Sequence, residues 1–419
     1  MSSSIVIVSI ARTPIAKFLG SMKDLKGSIL AATAINGALK KLPYEYPPTD
    51  DKSTTNPASP IVIREAIFGN VVSAGMGQAP ARQAVMYANL PESTVCTTIN
   101  KVCSSGLKSI MLGAQSLHMM KRHSCSSSSS AAPAVLTGGF ESMSNIPHYL
   151  PKSRTGMTLG NMQLIDGVIH DGLWDLYNNQ HMGMCAEKCS KDYTISRADQ
   201  DAYAIESYKR AQAAIAAGVF EEVVPVEIPQ RRGDPIQIVE DEEPSSVNLE
   251  KLPSLHPAFD RSDEGTVTAA NASSLNDGAC AMVLMKEQDA IDRGIEPLAR
   301  ILGVGDAEQA PVDFTTTPSL AVPVALQDAG LELNDVDFHE INEAFSVVAL
   351  ANMQLLNLDP AKVNVFGGAV SLGHPIGMSG ARIVGTLYNA LKKKDGTIGC
   401  ASICNGGGGA SAIIIERLQ

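Results

Sequence analysis

The sequence predicts an α/β protein built from two similar halves. Along most of the 419 residues, short runs of β-branched residues alternate with alanine-rich stretches of helical length. This alternation is typical of buried strands packed between helices. Two segments that resemble each other, NDGACAMVLM at 276–285 and GGASAIII at 408–415, also end the two stretches of alternation. Their similarity indicates an internal duplication.

The elements of the first half follow from hydrophobic runs and the glycines beside them. The β-branched run at the start of the chain predicts a strand, and the alanine-rich segment after Gly27 predicts a helix. A second helix is expected to begin directly after Cys103. The predicted strands are 5–9, 66–72, 134–138 and 279–285, and the predicted helices are 27–41 and 104–120.

The second half repeats the alternation. Strands are predicted at 299–304, 338–341, 397–403 and 410–416, and helices at 319–329, 345–355 and 377–392. We therefore expect an N-terminal half at 1–141 plus 265–295 and a C-terminal half at 296–419.

The segment 142–264 interrupts the alternation. It contains the only tryptophan, Trp174, and a clear helical pattern at 197–217. We expect it to leave the first half as a lid or ligand-binding loop domain. Two low-complexity segments, 43–60 and the serine run 124–130, are predicted to be surface loops.

Composition excludes several classes of protein. The net charge of −11 argues against a general nucleic-acid binder, and no apolar run is long enough to span a membrane. Eight cysteines in a chain of this length do not indicate a disulfide framework. The first strand begins close to Met1, and the chain does not end in Ser-Lys-Leu. We expect a cytoplasmic protein, or a mitochondrial one if a leader has been removed.

Three glycine-flanked segments carry candidate catalytic residues. Cys103 lies in NKVCSSG before a helix, where the helix dipole would lower its pKa and favour the nucleophilic thiolate. His374 lies in GHPIG and could accept a proton or hold an oxyanion. Cys404 precedes four glycines that would allow a substrate carbonyl to approach the backbone. Each also has a structural interpretation: an inert buried cysteine, a capping or surface histidine, and a plain tight turn.

Three further patterns are less specific. Asn342, in NEAF, could position a water or donate to an oxyanion, or it could cap the following helix. The small residues at 265–273 could let a thin ligand lie along the backbone, or form a loop packed under the lid. Cys185 and Cys189 are one helical turn apart, but no matching pair completes a zinc-site spacing, so we predict no metal catalysis.

Together these segments resemble the thiolase family over essentially the whole chain, interrupted only by the two low-complexity segments. Four blocks match in order, at 100–106, 342–345, 373–377 and 404–409. The resemblance is strongest to acetyl-CoA acetyltransferases, and within them to the potassium-activated mitochondrial enzymes. It implies a thiolase fold, with two βαβαβαββ halves in a five-layer αβαβα arrangement and an inserted loop domain.

The resemblance also implies a catalytic set. Cys103 would carry the acyl group, His374 would activate it, and Cys404 would act as the acid and base. Asn342 would hold a water in an oxyanion hole shared with His374, and the N–H groups of Cys103 and Gly406 would form a second hole. The reaction implied is the reversible condensation of two acetyl-CoA to acetoacetyl-CoA and CoA through an acyl-cysteine.

The remaining implications concern ligands and assembly. Coenzyme A thioesters would be substrates with no covalent cofactor, K⁺ would be an additional ligand, and the assembly would be a homotetramer that binds neither nucleic acid nor membrane. The coenzyme A pocket carries over to Leu173, His181, Met182, Ala258, Phe259, Ala269, Ser273, Ala344 and Phe345, with Ser273 bonding the pantetheine arm. The K⁺ site carries over to Tyr208, Ala269, Ala270, Ala272 and Val370.

Two alternatives remain open at this point. The same catalytic residues would serve a longer-chain 3-ketoacyl-CoA thiolase, because acyl length is set by the shape of the pocket. A non-catalytic carrier of acyl-CoA or lipid could keep the fold, although the intact Cys103, His374 and Cys404 argue against it.

Overall fold

The computed structural model describes residues 4–46, 59–120 and 131–419. The predicted loop at 124–130 and most of the one at 43–60 lie outside the described residues. The two halves are duplicates in the order of their elements.

The N-terminal half contains eight principal elements. They are β1 (Ile5–Arg12), α1 (Gly27–Leu39), β2 (Ile61–Gly69), α2 (Pro80–Tyr87), β3 (Val95–Ile99), α3 (Ser105–Met119), β4 (Ala132–Ser142) and β5 (Asn276–Lys286). Two helices, α4 (Met182–Asp192) and α5 (Arg197–Ala216), lie in the long connection between β4 and β5.

The C-terminal half repeats this order in a shorter stretch. Its elements are β6 (Ala299–Glu308), α6 (Pro318–Ala329), β7 (Phe338–Ile341), α7 (Ser346–Leu356), α8 (Ser379–Lys393), β8 (Ile398–Asn405) and β9 (Gly409–Arg417). An isolated parallel bridge between His339 and Val363 stands where the first half has β3. The duplication predicted from the two similar strands is therefore confirmed at the level of topology.

The nine principal strands follow the order β7-β8-β9-β6-β1-β5-β4-β2-β3. In the N-terminal half the two outer pairs, β4 with β2 and β2 with β3, run parallel, and in the C-terminal half the outer pair β7 with β8 runs parallel. The other pairs are antiparallel. The halves meet where β1 pairs with β6 over only two residues, Val6 with Arg300 and Ile7 with Ala299. The short shared edge makes each half a sheet of its own.

Helices fill three layers around these two sheets. Helices α1 and α2 cover the outer face of the N-terminal sheet, where Leu30 and Phe68 are fully buried. Helix α6 covers the outer face of the C-terminal sheet. Helices α3 and α8 lie between the sheets, and Ile110 and Ile383 join one core cluster with strands of both. The predicted five-layer αβαβα arrangement is confirmed.

Most predicted elements agree with the structure to within a few residues at each end. The bounds predicted for the strand at 66–72 are wrong. Strand β2 spans Ile61–Gly69, because the run IVIREAIFG pairs with β4. Helices α2 and α4 and strand β3 were not predicted. Strand β3 is an edge strand in which no residue is buried, so it lacks the apolar run that marks buried strands.

Candidate active site

The two central helices bring their N-terminal ends together. A Cβ atom on Gly106 of α3 would lie 2.7 Å from the main-chain nitrogen of Ala381 in α8, and one on Gly380 would lie 2.4 Å from that of Leu107. Both distances are too short for any side chain, so glycine is required for this approach. The segments before α3 and α8, which carry Cys103 and His374, therefore lie next to each other.

The turn that carries Cys103 is strained. Val102 has φ of 47°, in the left-handed region that a β-branched residue rarely adopts. Side chains on both sides hold it there: Asn100 Oδ1 accepts from the Val102 N–H at 2.9 Å, and the Ser105 hydroxyl donates to the Val102 carbonyl at 2.6 Å. Strain of this kind persists only where the surroundings fix it, and it is common at functional sites.

The Cys103 sulfur accepts hydrogen bonds from two main-chain N–H groups. The N–H of Gly406 and its own N–H both hydrogen-bond to it, which favours the thiolate, but burial is the larger effect and raises the pKa of the Cys103 thiol to about 12. The predicted lowering of this pKa by the helix is therefore wrong for the free protein. Helix α3 begins two residues later, at Ser105, and its dipole does not offset desolvation.

Cys404 is the neighbour of Cys103. It lies near the end of β8 with no exposed surface. Its pKa is raised, first by burial and then by the charge of Cys103, so the two thiols are close enough to influence each other's protonation. The turn that follows is made by Gly407 and Gly408, with φ of 91° and 98°. The structural interpretation as a tight turn is correct, and the same turn delivers the Gly406 N–H to Cys103.

His374 is buried and neutral. Burial, followed by the charge of Arg382, lowers its pKa to about 3. Ser379 Oγ donates to the Pro375 carbonyl at 3.0 Å and so must accept from His374 Nδ1 at 2.6 Å. Nδ1 therefore carries the proton and Nε2 is a free base. The alternative of a surface or capping histidine is excluded, since the residue preceding α8 is Met378.

Asn342 lies beside that free nitrogen. Its Nδ2 is 3.5 Å from His374 Nε2, and its Oδ1 accepts from Arg382 Nη2 at 3.3 Å. Asn342 follows β7 directly, whereas α7 begins at Ser346 with Phe345 as its capping position. The capping role considered for Asn342 is therefore excluded.

The residues predicted for coenzyme A group into three contacts. His181 stacks on Phe259 at 4.7 Å between ring centroids, and Phe259 meets Phe345 edge-on at 6.2 Å. The Met182 N–H donates to the Leu173 carbonyl at 2.9 Å. These aromatic and apolar groups form one wall beside Gly406, where a Cβ atom would lie 3.6 Å from Met182 Sδ.

The small-residue loop completes this wall. Ala272 of this loop forms an isolated antiparallel β-bridge with Phe345. The Ser273 hydroxyl donates to the Ala344 carbonyl at 2.9 Å. The Ala258 N–H donates to the Val267 carbonyl at 2.8 Å, while Ala258 and Ala269 themselves are exposed. The Ser273 hydroxyl is thus engaged within the protein and would have to turn to reach a ligand.

Comparisons with known proteins decide what this arrangement is. The family model described as "Thiolase, N-terminal domain" matches residues 5–288, and "Thiolase, C-terminal domain" matches residues 295–417. The chain belongs to the thiolase family.

Full-length relatives of this thiolase share one name. "Acetyl-CoA acetyltransferase" of Schizosaccharomyces pombe is 50% identical, with 100% of both chains covered. "Acetyl-CoA acetyltransferase ERG10, cytosolic" of Gibberella zeae is 49% identical over 99% of this thiolase and 98% of the relative. The solved Acat5 thiolase from Ascaris suum, in complex with coenzyme A, is 43% identical with a TM-score of 0.86, and 99% of this chain and 100% of that chain are covered.

Two buried residues of this thiolase support the site without having been predicted. Glu141 accepts from the N–H groups of Val71 at 2.9 Å and Gly377 at 3.0 Å, and Asn276 Oδ1 accepts from the His374 N–H at 2.8 Å. Together they fix the GHPIG turn to the N-terminal half. Neither carries a motif in the sequence, because Glu141 and Asn276 lie within strands β4 and β5.

The residues predicted for K⁺ lie partly together. Tyr208, Ala270 and Val370 pack in one small core cluster, and the Tyr208 hydroxyl makes no hydrogen bond to any other described residue. A phenol oxygen is a ligand of the kind that a hard cation takes. Across residues 4–46, 59–120 and 131–419, no three His, Cys, Asp or Glu side chains are grouped to hold a metal ion.

One finding bears on membranes. In the described ranges, no helix of this thiolase is both long and apolar enough to cross a bilayer.

Proposed function

We propose that this thiolase is an acetyl-CoA C-acetyltransferase that interconverts two acetyl-CoA with acetoacetyl-CoA and CoA. The observation that carries the proposal is the pairing of two buried cysteines, Cys103 and Cys404, with the Gly406 N–H directed at the Cys103 sulfur. One thiol to carry an acetyl group and a second to move a proton are what a Claisen condensation of thioesters needs. The names of the full-length relatives support the same reaction.

In the first half-reaction Cys103 takes the acetyl group. Its sulfur attacks the thioester carbonyl of acetyl-CoA while its proton moves to His374 Nε2. A thiol with a pKa of about 12 facing an imidazole with a pKa of about 3 stays neutral at rest. The proton transfer therefore accompanies the attack on bound substrate. Collapse of the tetrahedral intermediate breaks the bond to the coenzyme A sulfur, which leaves as a thiolate and takes the proton of Cys404. Cys404 is then a thiolate, and His374 keeps the proton of Cys103 on Nε2.

In the second half-reaction Cys404 acts as the base. A second acetyl-CoA loses a proton from its methyl carbon to the Cys404 thiolate, and the resulting enolate attacks the acetyl carbon on Cys103. The new carbon–carbon bond forms as the bond to the Cys103 sulfur breaks, which gives acetoacetyl-CoA, and the Cys103 sulfur takes its proton back from His374 Nε2. In thiolysis the same steps run in reverse, with Cys404 returning the proton to the departing carbon.

Two oxyanion holes stabilise the developing charges. The N–H groups of Cys103 and Gly406 would hold the oxygen of the tetrahedral intermediate. His374, protonated on Nε2 at this stage, and a water held by Asn342 would donate to the enolate oxygen. A donor in such a hole is worth roughly 3 kcal/mol of transition-state stabilisation, so the two holes together account for a large part of the rate.

We also propose that residues 142–264 act as the loop domain that binds coenzyme A. The half-buried rings of His181 and Phe259, which pack against the buried Phe345 of the C-terminal half, support this assignment. The boundaries proposed for the two halves are 1–141 with 265–295, and 296–419. They follow the order of the elements in the duplicated fold.

K⁺ would brace this loop domain. Tyr208 and the carbonyls of Ala269, Ala270, Ala272 and Val370 would hold the ion. The ion would take no part in the chemical steps. It would hold in place the loop at 265–273, in which Ala272 forms a β-bridge with Phe345. This assignment would group the protein with the potassium-activated enzymes of mitochondrial type.

Location and assembly are further proposals. A cytosolic location is supported by the word "cytosolic" in the name of the relative from Gibberella zeae. A homotetramer is supported by large apolar side chains that the single chain leaves exposed in the loop domain, such as Leu159 at 93% and Leu176 at 78%.

The proposed function is tested by comparing substrates. Acetoacetyl-CoA and a long-chain 3-ketoacyl-CoA are each offered with free CoA, and thiolysis is followed by loss of the substrate. We expect kcat/KM for acetoacetyl-CoA to be higher by at least about tenfold, a difference of about 1.4 kcal/mol in transition-state binding. Preference for the long chain would favour a β-oxidation thiolase, and binding without turnover would favour a carrier.

A further inference from the structure

A buried ion pair lies behind the candidate active site. Glu340 and Arg382 are each only 1% exposed, and Glu340 Oε2 is 3.7 Å from Arg382 Nη1. Three atoms of this pair have no hydrogen-bond partner among the described residues: both carboxyl oxygens of Glu340, and Nε of Arg382. Such a pair is costly to bury and contributes little to stability, because its geometry leaves the charges incompletely solvated. Its retention therefore needs another reason.

Arg382 determines which way the Asn342 amide points. Guanidinium groups only donate, so the Asn342 atom that faces Arg382 Nη2 at 3.3 Å has to be the oxygen. The amide nitrogen is then turned toward His374 Nε2, at 3.5 Å. A donor directed at Nε2 is compatible only with a nitrogen that carries no proton.

Helix α8 thus determines the hydrogen-bond partners of both ring nitrogens of His374. Ser379 and Arg382 are three residues apart on α8. Ser379 accepts from His374 Nδ1, and Arg382 aims Asn342 at Nε2. Glu340 and Asn342 lie on the same face of the extended chain, since they are two residues apart at the end of β7. Glu340 therefore lies beside Arg382. Burial raises the pKa of the Glu340 carboxyl to about 8, and the charge of Arg382 opposes that rise.

We propose that Arg382 is a positioning residue that holds the Asn342 amide, and through it the resting tautomer of His374, with Glu340 as the buried carboxyl packed against Arg382. This inference rests on the proposed acetyl transfer, because it assigns Asn342 and His374 to that chemistry. The positive charge of Arg382 also opposes protonation of His374, in the same direction as burial.

The test is a double-mutant cycle on kcat for acetoacetyl-CoA thiolysis. Arg382→Met should lower kcat by about 10- to 100-fold with KM changed less than about twofold, because misplacing a catalytic group by about 1 Å costs on this order. Asn342→Ala should lower kcat by about 100- to 1,000-fold. In the Asn342→Ala background, Arg382→Met should cost less than about twofold more, since its partner is already gone. Fully additive losses would overturn the proposal.

A second variant separates positioning from folding. Arg382→Met alone leaves Glu340 buried without a partner, whereas Glu340→Met with Arg382→Met removes the pair and is expected to keep a melting temperature near that of the wild type. This double variant should still have the low kcat of Arg382→Met, and wild-type kcat in it would refute the positioning role. A wild-type protein without thiolysis activity would instead refute the proposed function.

Discussion

The Ser104 hydroxyl lies 2.8 Å from Asn405 Oδ1 and ties the turn of Cys103 to the end of the strand that carries Cys404. The same hydroxyl is 3.2 Å from the Ile403 carbonyl. Ser104 belongs to the N-terminal half and Asn405 to the C-terminal half, so this contact fixes the two cysteines relative to each other across the duplication. The chemistry proposed for the site depends on that relation.

Replacing the proposed base should separate the two half-reactions. Cys404→Ser is expected to accept the acetyl group on Cys103 at near wild-type rate but to lose condensation by about 10²- to 10⁴-fold, because a hydroxyl is a far weaker base than a thiolate. Rapid-quench acylation and steady-state condensation measure the two steps. Loss of acylation with condensation reduced only a few-fold would mean that the two cysteines exchange roles.

The close approach of α3 and α8 gives a prediction about stability. Gly106→Ala places a methyl group 2.7 Å from the Ala381 nitrogen, so we expect a loss of roughly 1–3 kcal/mol of unfolding free energy and reduced activity. Gly385→Ala is the matched control, because its methyl group would meet two side-chain atoms, Ile10 Cγ2 at 3.3 Å and Glu222 Cγ at 3.9 Å, and no main chain. Equal melting temperatures for Gly106→Ala and the wild type would show that the helices are not held by this contact.

The buried neutral His374 predicts how stability depends on pH. Its pKa is lowered to about 3 in the folded protein, against about 6.5 in an unfolded chain. Between these values the unfolded chain binds a proton that the folded protein does not, so stability is complete above pH 6.5 and falls as the pH is lowered. Relative to His374→Gln, the wild type should lose roughly 2 kcal/mol between pH 7 and pH 5.

Urea unfolding at the two pH values measures this difference, and the buried carboxyl groups cancel because both proteins contain them. His118→Gln, on the exposed end of α3, is the control and should follow the wild type. Parallel pH dependence of the wild type and His374→Gln would contradict a neutral buried histidine.

The K⁺ proposal predicts a salt-specific effect. With K⁺ in place of Na⁺ at equal ionic strength, we expect a lower KM for acetyl-CoA with kcat little changed, because the ion would brace the substrate loop. Tyr208→Phe should weaken this response and leave acylation of Cys103 intact, since the phenol is one of the proposed ligands. Initial rates in the two salts measure the effect. Identical kinetics of the wild type in both would remove the ion from the account.

The strands and helices that could be predicted are those whose burial produces a recognisable run of apolar residues in the sequence. Strand β5 is buried along its whole length and reads as an apolar run. Strand β3 lies at an edge and α2 is half-exposed, so neither shows a distinctive run. Strand β2 contains Arg64 and Glu65 at its centre, which divide its apolar run and moved the predicted start to residue 66.

The site was predictable where glycine-rich motifs mark it and obscure where partners come from distant elements. Cys103, His374 and Cys404 each lie in such a motif. Arg382, Glu340 and Glu141 act through tertiary contacts between a helix and strands, and no spacing in the sequence indicates them. The predicted lowering of the Cys103 pKa failed for the same reason: the helix end is visible in the sequence, whereas the burial of the thiol is a property of the folded chain.

The central claim is that Cys103 carries the acetyl group. Its most direct test is to mix the protein with radiolabelled acetyl-CoA in the absence of an acceptor, quench in acid, and locate the label by proteolysis and mass spectrometry. We predict one acetyl group per chain on the peptide that contains Cys103, and none in Cys103→Ala. Label that persists in Cys103→Ala after denaturation, or a wild-type protein acetylated on Cys404 instead, would contradict the account.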